Sequence, residues 1–85
     1  MNYKIELTKP AQKDLRNLKS AGLEEKAKKI RNVLRLDPYP NISKELLGDL
    51  AGKRSIRINL QHRLVYEVFE EEKIIKILSM WGHYE

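Results

Sequence analysis

The sequence of 85 residues predicts one α+β domain, with a two-helix hairpin packed on a small, mainly antiparallel sheet. Three features predict this fold. An alternating segment opens the chain, two segments with helical periodicity follow, and the second half consists of short strand-like runs. A chain of this length is enough for one domain and too short for two. The expected element order is β-α-α-β-β-β, with one further short strand allowed after the helices.

The first strand and the first helix are marked by alternation and by a cap. Tyr3, Ile5 and Leu7 alternate with polar residues, as in a half-buried strand. Thr8 is a suitable N-cap, and Pro10 suits the first helical turn, where the N–H that proline lacks would have no partner. The apolar residues that follow share one helical face: Ala11, Leu15 and Leu18.

The second helix carries an apolar stripe and an opposite basic face. Gly22 ends the first helix and Asp37-Pro38 ends the second. The stripe consists of Leu23, Ala27, Ile30, Val33 and Leu34. The basic face consists of Lys26, Lys28, Lys29, Arg31 and Arg35. Residues 37–45, which contain two prolines and an asparagine, are predicted to be a loop.

Four strand-like runs follow this loop, at residues 46–50, 53–60, 63–69 and 73–81. In the second run, polar and apolar residues alternate, so that one face is expected to be buried. The last two runs are apolar on both faces, as expected of central strands. The acidic residues 70–72 between them predict a hairpin turn.

Composition restricts the possible functions. The sequence has no cysteine, no metal-binding motif and no glycine-rich phosphate loop, so we expect neither a metal nor a cofactor. It shows no basic leader and no apolar run near the ~18–20 residues that span a bilayer, which predicts a soluble cytoplasmic protein without membrane contact. A net charge of +5 and a pI near 9.6 favour polyanionic partners such as RNA.

The last third of the chain combines side chains suited to cleaving RNA without a metal. Arg57 and Arg63 lie on strands expected to be antiparallel neighbours, so both could reach one phosphate. His83 could transfer a proton near neutral pH, and Tyr84 could stack on a base. The alternatives are solvated arginines paired with Glu67 and a frayed terminus. Trp81 is expected in the core, and the other histidine, His62, is expected to contact backbone.

The segment from Leu46 to Tyr84 resembles the Txe/YoeB branch of the RelE/ParE toxins. The resemblance rests on Arg57-Ile58, on His62-Arg63-Leu64-Val65-Tyr66 and on a final strand ending in His83-Tyr84, at the spacing of that branch. Over the helices the agreement is in order and length only. The resemblance implies the compact fold of microbial ribonucleases and a toxin of a type II toxin–antitoxin pair.

Members of this branch enter the ribosomal A site, formed by 16S rRNA, and cut messenger RNA. The resemblance therefore implies an endoribonuclease whose partners are the ribosome, the message and a cognate antitoxin, with a homodimer by analogy. It assigns Arg63 to the phosphate, His83 to the leaving group and Tyr84 to holding the substrate. The further residues expected to contact RNA are Lys44, Arg54, Arg57 and His62.

The sequence departs from the branch at the residue that accepts the 2′-hydroxyl proton. The general-base glutamate of the branch falls on Lys44, and Glu45 is next to it. Neighbouring residues of an extended segment face opposite ways, so Glu45 can serve only if the segment is shifted or bulged. We expect Glu45 as the base, with Lys44 as the alternative, as lysines serve in the RelE branch. A basic side chain of the branch is also replaced by Ile56.

Other functions of the same fold stay open at this stage. The departures allow a protein of weak activity that acts mainly as an antitoxin-bound co-repressor. A second alternative is a non-catalytic inhibitor of DNA gyrase, as in the ParE branch, although a terminal His-Tyr has no evident use there. A basic interaction module without toxicity is the third.

Overall fold

The structure, a computed structural model, describes residues 2–82, so the predicted roles of His83 and Tyr84 concern residues outside the described part. The described chain forms the strands β1 (Lys4–Leu7), β2 (Ser43–Glu45), β3 (Arg54–Arg57), β4 (Arg63–Phe69) and β5 (Ile74–Ser79). Its helices are α1 (Lys9–Ser20) and α2 (Glu24–Leu36), with a short 3₁₀ turn at Gly48–Leu50. No helix within residues 2–82 is long and apolar enough to cross a membrane.

The strands form one sheet in the order β1-β5-β4-β3-β2. β1 runs parallel to β5, and all other neighbours are antiparallel. This arrangement confirms the predicted α+β fold with a two-helix hairpin on a mainly antiparallel sheet. The two runs that are apolar on both faces became β4 and β5, which are flanked by strands on both sides, as predicted.

The helices begin and end where the sequence predicts. The Thr8 hydroxyl accepts a hydrogen bond from the Ala11 N–H at 3.2 Å and so caps α1. Thr8 also donates its hydroxyl proton to the Leu78 carbonyl at 3.1 Å, which ties the start of α1 to β5. Gly22 lies between α1 and α2 with φ +76°, a left-handed conformation that glycine adopts without strain.

One prediction of secondary structure is wrong. The extra strand lies at Ser43–Glu45, inside the predicted loop, and the run 46–50 contains the 3₁₀ turn instead. Leu47 is 84% exposed, so the apolar residues of that run are not a buried strand face. Ser43, by contrast, is buried and donates its hydroxyl proton to the Pro40 carbonyl at 2.7 Å. Pairing with β3 therefore creates this short strand, whereas its own sequence does not favour one.

The hydrophobic core lies between the helix pair and one face of the sheet. The helices contribute Ala11, Leu18, Ala27, Ile30 and Leu34, and the strands contribute chiefly Ile56, Leu64, Tyr66, Ile75 and Ile77. Tyr66 is fully buried, and its hydroxyl donates to the Pro38 carbonyl at 2.7 Å, which fixes the loop that leads into β2. Because side chains alternate along β3 and β4, the neighbours of the core residues face away from the helices.

Candidate active site

A groove of about 400 Å³ lies over β2, β3 and the start of β4. Its lining consists of Ile42, Lys44, Ile56, Arg57 and Arg63. Three of these five side chains are cationic and none is acidic. The register aligns Lys44 with Ser55 and Arg57 with Arg63, and alternation places these four residues on the sheet face opposite the helices. We call this lining the cationic groove.

Arg57 and Arg63 are direct partners in the antiparallel register of β3 and β4. Arg63 is half-buried, and its Nη1 donates to the Ser55 hydroxyl at 3.4 Å. Arg57 is exposed, and its side chain has no hydrogen bond or ion pair to another residue within 2–82. Glu67, which could have neutralised them, forms an ion pair with Lys53 at 3.9 Å instead. Both arginines therefore keep donors available for a bound anion.

The geometry of β2 separates the two candidates for the general base. Lys44 lines the cationic groove, whereas Glu45 is aligned with Arg54 and does not line it. β2 pairs with β3 residue for residue, without the shift or bulge that Glu45 would need to face the groove. The role of Glu45 thus stays a prediction from sequence, and the side chain at the groove is that of Lys44.

Arg54, expected to contact RNA, is engaged elsewhere. Its Nε and Nη2 donate to the Ser43 hydroxyl at 3.0 and 2.9 Å. Its guanidinium also lies 5.4 Å from the centre of the Tyr39 ring, within the range of a cation–π contact. Arg54 shares its sheet face with the buried Tyr66, its register partner on β4. These contacts stabilise the edge strand β2.

A network around Glu70 holds the loop before β2 against the β4–β5 turn. The Tyr3 hydroxyl donates to Glu70 Oε1 at 2.7 Å, and the Tyr39 hydroxyl donates to Glu70 Oε2. These hydrogen bonds, first from Tyr39 and then from Tyr3, lower the pKa of the Glu70 carboxyl. Burial and the bond to Glu70 raise the pKa of Tyr39 to about 12. The network fixes the chain that delivers Ile42 and Lys44 to the groove.

The last described residues are fixed beside Arg63. The Arg63 N–H donates to the Gly82 carbonyl at 2.8 Å, and the Gly82 N–H donates to Nδ1 of His62 at 2.9 Å. The His62 ring stacks on Trp81 with centroids 3.9 Å apart and planes at 21°. His62 is 8% exposed and its side chain accepts a hydrogen bond from the Gly82 backbone, as the structural interpretation expected, whereas its expected contact with RNA stays a prediction. Trp81 is 41% exposed, which corrects its expected place in the core.

Two residues of the site escaped the analysis of the sequence as functional candidates: Ile42, which lines the groove, and Ser55, which contacts Arg63. Ile42 is 61% exposed and offers an apolar surface at the side of Lys44. Ser55 is buried and holds the guanidinium of Arg63. The alternation of β3 placed Ser55 on the polar face, but its contact with Arg63 depends on the register of β4. Within residues 2–82, no group of three or more histidine or acidic side chains is placed to hold a metal ion.

A helix hairpin on one sheet face and a cationic groove on the other define a small α+β domain with a concentration of positive charge on its open sheet face. Comparison with known proteins identifies it further. The family model of the ParE toxin of type II toxin–antitoxin systems matches residues 5–85. The chain belongs to this family.

Solved structures place the chain near the YoeB toxins. A YoeB/ParE toxin from Agrobacterium tumefaciens superposes with a TM-score of 0.87 at 26% identity, covering 95% of this chain and 99% of that one. A YoeB dimer from Staphylococcus aureus superposes with a TM-score of 0.83 at 27% identity, covering 99% of this chain and 100% of that one. A chain of the YoeB–YefM complex from the same organism superposes with a TM-score of 0.80 at 28% identity, again covering 99% of this chain and 100% of that one. None of the curated protein sequences is a significant match.

These similarities confirm the resemblance to the Txe/YoeB branch of the RelE/ParE toxins. They also establish the coarse function, because the family and its neighbours are toxins of type II toxin–antitoxin systems. The reaction that this toxin carries out depends on the residues of the cationic groove.

Proposed function

We propose that this toxin is an endoribonuclease that cuts messenger RNA in the ribosomal A site. The observation that carries the proposal is the register pair of Arg57 and Arg63 in a groove without acidic residues. Two guanidinium groups on neighbouring strands suit a phosphodiester, whose charge grows when a fifth oxygen attacks the phosphorus. The residues of this chain supply the groups that acid–base cleavage needs.

In the proposed reaction the 2′-hydroxyl oxygen attacks the adjacent phosphorus while the Lys44 side chain, reacting in its uncharged amine form, accepts the hydroxyl proton and becomes an ammonium group. Arg63 and Arg57 stabilise the negative charge of the phosphorane. The bond from phosphorus to the 5′-oxygen then breaks, and His83 donates the proton that this oxygen takes up. The products are a 2′,3′-cyclic phosphate and a 5′-hydroxyl. Each proton transfer by a positioned side chain contributes about 10²–10⁴-fold to the rate.

The roles of His83 and Tyr84 in this reaction rest on the sequence. Gly82, the last residue that the structure describes, accepts a hydrogen bond from the Arg63 N–H. Tyr84 is proposed to hold the substrate. Arg57 acts at the phosphate or at the RNA backbone.

The partners of the toxin follow from the same proposal. A neighbouring structure is a complex of YoeB with YefM, and another is a YoeB dimer. We therefore propose a cognate antitoxin as the inhibitor of this chain and a homodimer as an accessible state. The ribosome and its message are the substrate complex, in the bacterial cytoplasm.

A second candidate is inhibition of DNA gyrase without catalysis. It is favoured by the name of the matched family, whose description is that of the ParE toxin. The cationic groove would then bind DNA or an acidic surface of the enzyme. This candidate gives no role to a proton donor near the groove.

The experiment is translation in vitro of a defined message with purified protein, followed by mapping of the RNA ends. The endonuclease predicts cuts only in the presence of ribosomes, with 2′,3′-cyclic phosphate ends. His83→Gln should remove the cuts while leaving the fold and antitoxin binding unchanged. Normal cleavage by that variant would refute the role of His83. Intact messages together with gyrase-dependent DNA breaks would favour the second candidate.

A further inference from the structure

We propose that a second groove, at the other edge of the sheet, binds the phosphate backbone of an RNA segment that is not the one being cut. The groove has a volume of about 410 Å³ and lies between α2 and β1. It is lined by Tyr3, Lys4, Ile5, Arg31 and Arg35. We call it the α2–β1 groove. This inference rests on the proposed function, since the ribosome is the complex that would bring a second RNA segment to the toxin.

The α2–β1 groove carries three cations and no acid. Lys4, Arg31 and Arg35 are all exposed, and none of their side chains forms a hydrogen bond or an ion pair with a residue of the described chain, 2–82. Arg31 and Arg35 are four residues apart on α2, where like charges destabilise a helix. This uncompensated repulsion would be relieved by an anion bound between them.

The acidic residues closest to the groove do not neutralise it. Glu6, on the same strand, lines a separate cavity. Glu24, at the start of α2, shares a third cavity with Arg31, and no ion pair joins the two. Glu70 accepts a hydrogen bond from the Tyr3 hydroxyl, but it is also paired with Lys73 at 3.5 Å. The three cations therefore remain available to a ligand.

The two walls of the α2–β1 groove are fixed relative to each other. The Tyr3 N–H donates to the Arg35 carbonyl at 2.8 Å, which joins the start of β1 to the end of α2. The next N–H, of Lys4, donates to the Lys73 carbonyl at 2.9 Å and holds β1 to the end of the β4–β5 turn. The backbone that carries the cations is thus in place before a ligand binds, which reduces the entropy cost of binding.

The lining favours a nucleic-acid backbone over a protein partner. The core of a protein–protein interface is apolar and rich in aromatic residues. None of the large apolar side chains that are exposed in residues 2–82 lines this groove. A phosphate backbone is bound chiefly by lysine and arginine and needs no apolar contact.

The α2–β1 groove and the cationic groove must hold different phosphate groups. β1 and β2 are the two edge strands of the sheet, separated by four strand spacings, or about 19 Å. The cationic groove lies over β2, β3 and the start of β4. We therefore assign the message to the cationic groove and ribosomal RNA to the α2–β1 groove.

Two double variants of α2 test this assignment with the same change in net charge. Arg31→Gln with Arg35→Gln removes two charges from the groove. Lys26→Gln with Lys29→Gln removes two exposed charges about half a turn around the helix, outside the groove. The probe is the purified bacterial ribosome without message, and binding is measured by sedimentation at several salt concentrations.

The arginine double variant should bind ribosomes about 10- to 100-fold more weakly than the wild type. Its slope of log K against log salt should be shallower by about 1.4–1.8, because two fewer phosphates are neutralised. The lysine double variant should stay close to the wild type in both quantities. In the cleavage assay the arginine variant should raise KM and leave kcat unchanged, because the cationic groove is intact.

Three outcomes would overturn the inference. The first is an equal loss of ribosome binding in the two double variants, which would make net charge the cause. The second is unchanged ribosome binding in the arginine variant. The third is unchanged ribosome binding together with weakened antitoxin binding, which would make the groove a protein interface. If circular dichroism shows the arginine variant to be unfolded, Lys4→Gln replaces it, and a wild-type salt slope in Lys4→Gln would then refute the inference.

The same measurements separate this inference from the proposed function. A wild-type protein that binds ribosomes and cuts no message would refute the endonuclease, while the comparison of the two double variants would still decide where RNA binds. Ribosome-dependent cleavage by the wild type, with unchanged KM and unchanged ribosome binding in the arginine variant, would overturn this inference alone.

Discussion

Arg57 and Arg63 lie directly opposite each other on β3 and β4, on the sheet face that carries the cationic groove. Like charges at opposed positions of an antiparallel pair destabilise a sheet by about 0.2–1 kcal/mol. No ion pair offsets the repulsion within residues 2–82, because Glu67 is bound to Lys53. An arrangement that weakens the fold is characteristic of a functional site.

Removing one of these charges should therefore stabilise the fold and impair its function. Arg57→Gln is expected to raise the free energy of unfolding by about 0.2–1 kcal/mol, since it relieves the repulsion of Arg63. Cleavage should fall by about 10²–10³-fold if Arg57 stabilises the phosphorane. Urea denaturation and the ribosome-dependent assay measure the two effects. Arg16→Gln, on the exposed side of α1, is the control and should change neither. A destabilised Arg57→Gln with normal cleavage would contradict both expectations.

The identity of the general base can be decided by two neighbouring substitutions. Lys44→Ala should lower single-turnover cleavage by about 10²–10⁴-fold, because Lys44 lines the groove and is the proposed proton acceptor. Glu45→Gln should cleave at the wild-type rate, because Glu45 is aligned with Arg54 away from the groove. Both residues are exposed on an edge strand, so thermal unfolding should confirm that both variants remain folded.

Normal cleavage by Lys44→Ala together with impaired cleavage by Glu45→Gln would assign the general base to Glu45. It would imply that β2 shifts by one residue, or bulges, when RNA binds. An equal decrease in both variants would indicate that both side chains take part in cleavage and would contradict the assignment of the base to Lys44 alone.

The sequence predicted the parts of the fold that depend on local signals. The cap at Thr8, the glycine at position 22 and the periodicity of the helices are local, and each appears in the structure. The central position of β4 and β5 was predicted because strands buried on both faces lack polar alternation. β2 was missed because three residues carry too little pattern, and their pairing with β3 is a tertiary effect.

The part of the candidate site that could be predicted is the part formed by residues close together along the chain. Arg57 and Arg63 were expected on neighbouring strands because only a short turn separates them, and the structure brings them together. The face presented by Lys44 and Glu45 depends on the register of β2, which a one-residue slip inverts. The contact between His62 and Gly82 joins residues 20 positions apart, and no local pattern indicates it.

The Glu70 network should make stability depend on pH at both ends of the scale. The pKa of Glu70 is lowered by the hydroxyls of Tyr39 and Tyr3, so its contribution is present above the ordinary carboxyl pKa and is lost as the pH falls through the lower folded value. The pKa of Tyr39 is raised to about 12, so its contribution is present below pH ~10 and is lost as the pH rises through 12.

Glu70→Gln should therefore flatten the acid limb of the stability curve, measured by urea denaturation at a series of pH values. Glu71→Gln is a suitable control, since Glu71 is exposed in the same turn and forms no hydrogen bond with the two tyrosines. An acid limb that persists in Glu70→Gln and disappears in Glu71→Gln would refute this assignment.

Arg54 and Arg57 offer a direct comparison between a structural and a binding arginine on one strand. Arg54 donates two hydrogen bonds to Ser43, and bonds to a charged group contribute about 1.5–3 kcal/mol, so Arg54→Gln should lower the free energy of unfolding by about that amount. Arg57→Gln should leave the fold intact and weaken RNA binding. For single-stranded RNA, neutralising one phosphate fewer should make the slope of log K against log salt shallower by about 0.7.

Titrating a short single-stranded RNA at several salt concentrations tests the contrast. The slope should become shallower in Arg57→Gln and stay at the wild-type value in Arg54→Gln, because the guanidinium of Arg54 is held by Ser43 and Tyr39. A shallower slope in both variants would mean that Arg54 leaves Ser43 to bind the phosphate backbone. An unchanged slope in both would place the RNA outside the cationic groove and would remove the main support for cleavage at this face of the sheet.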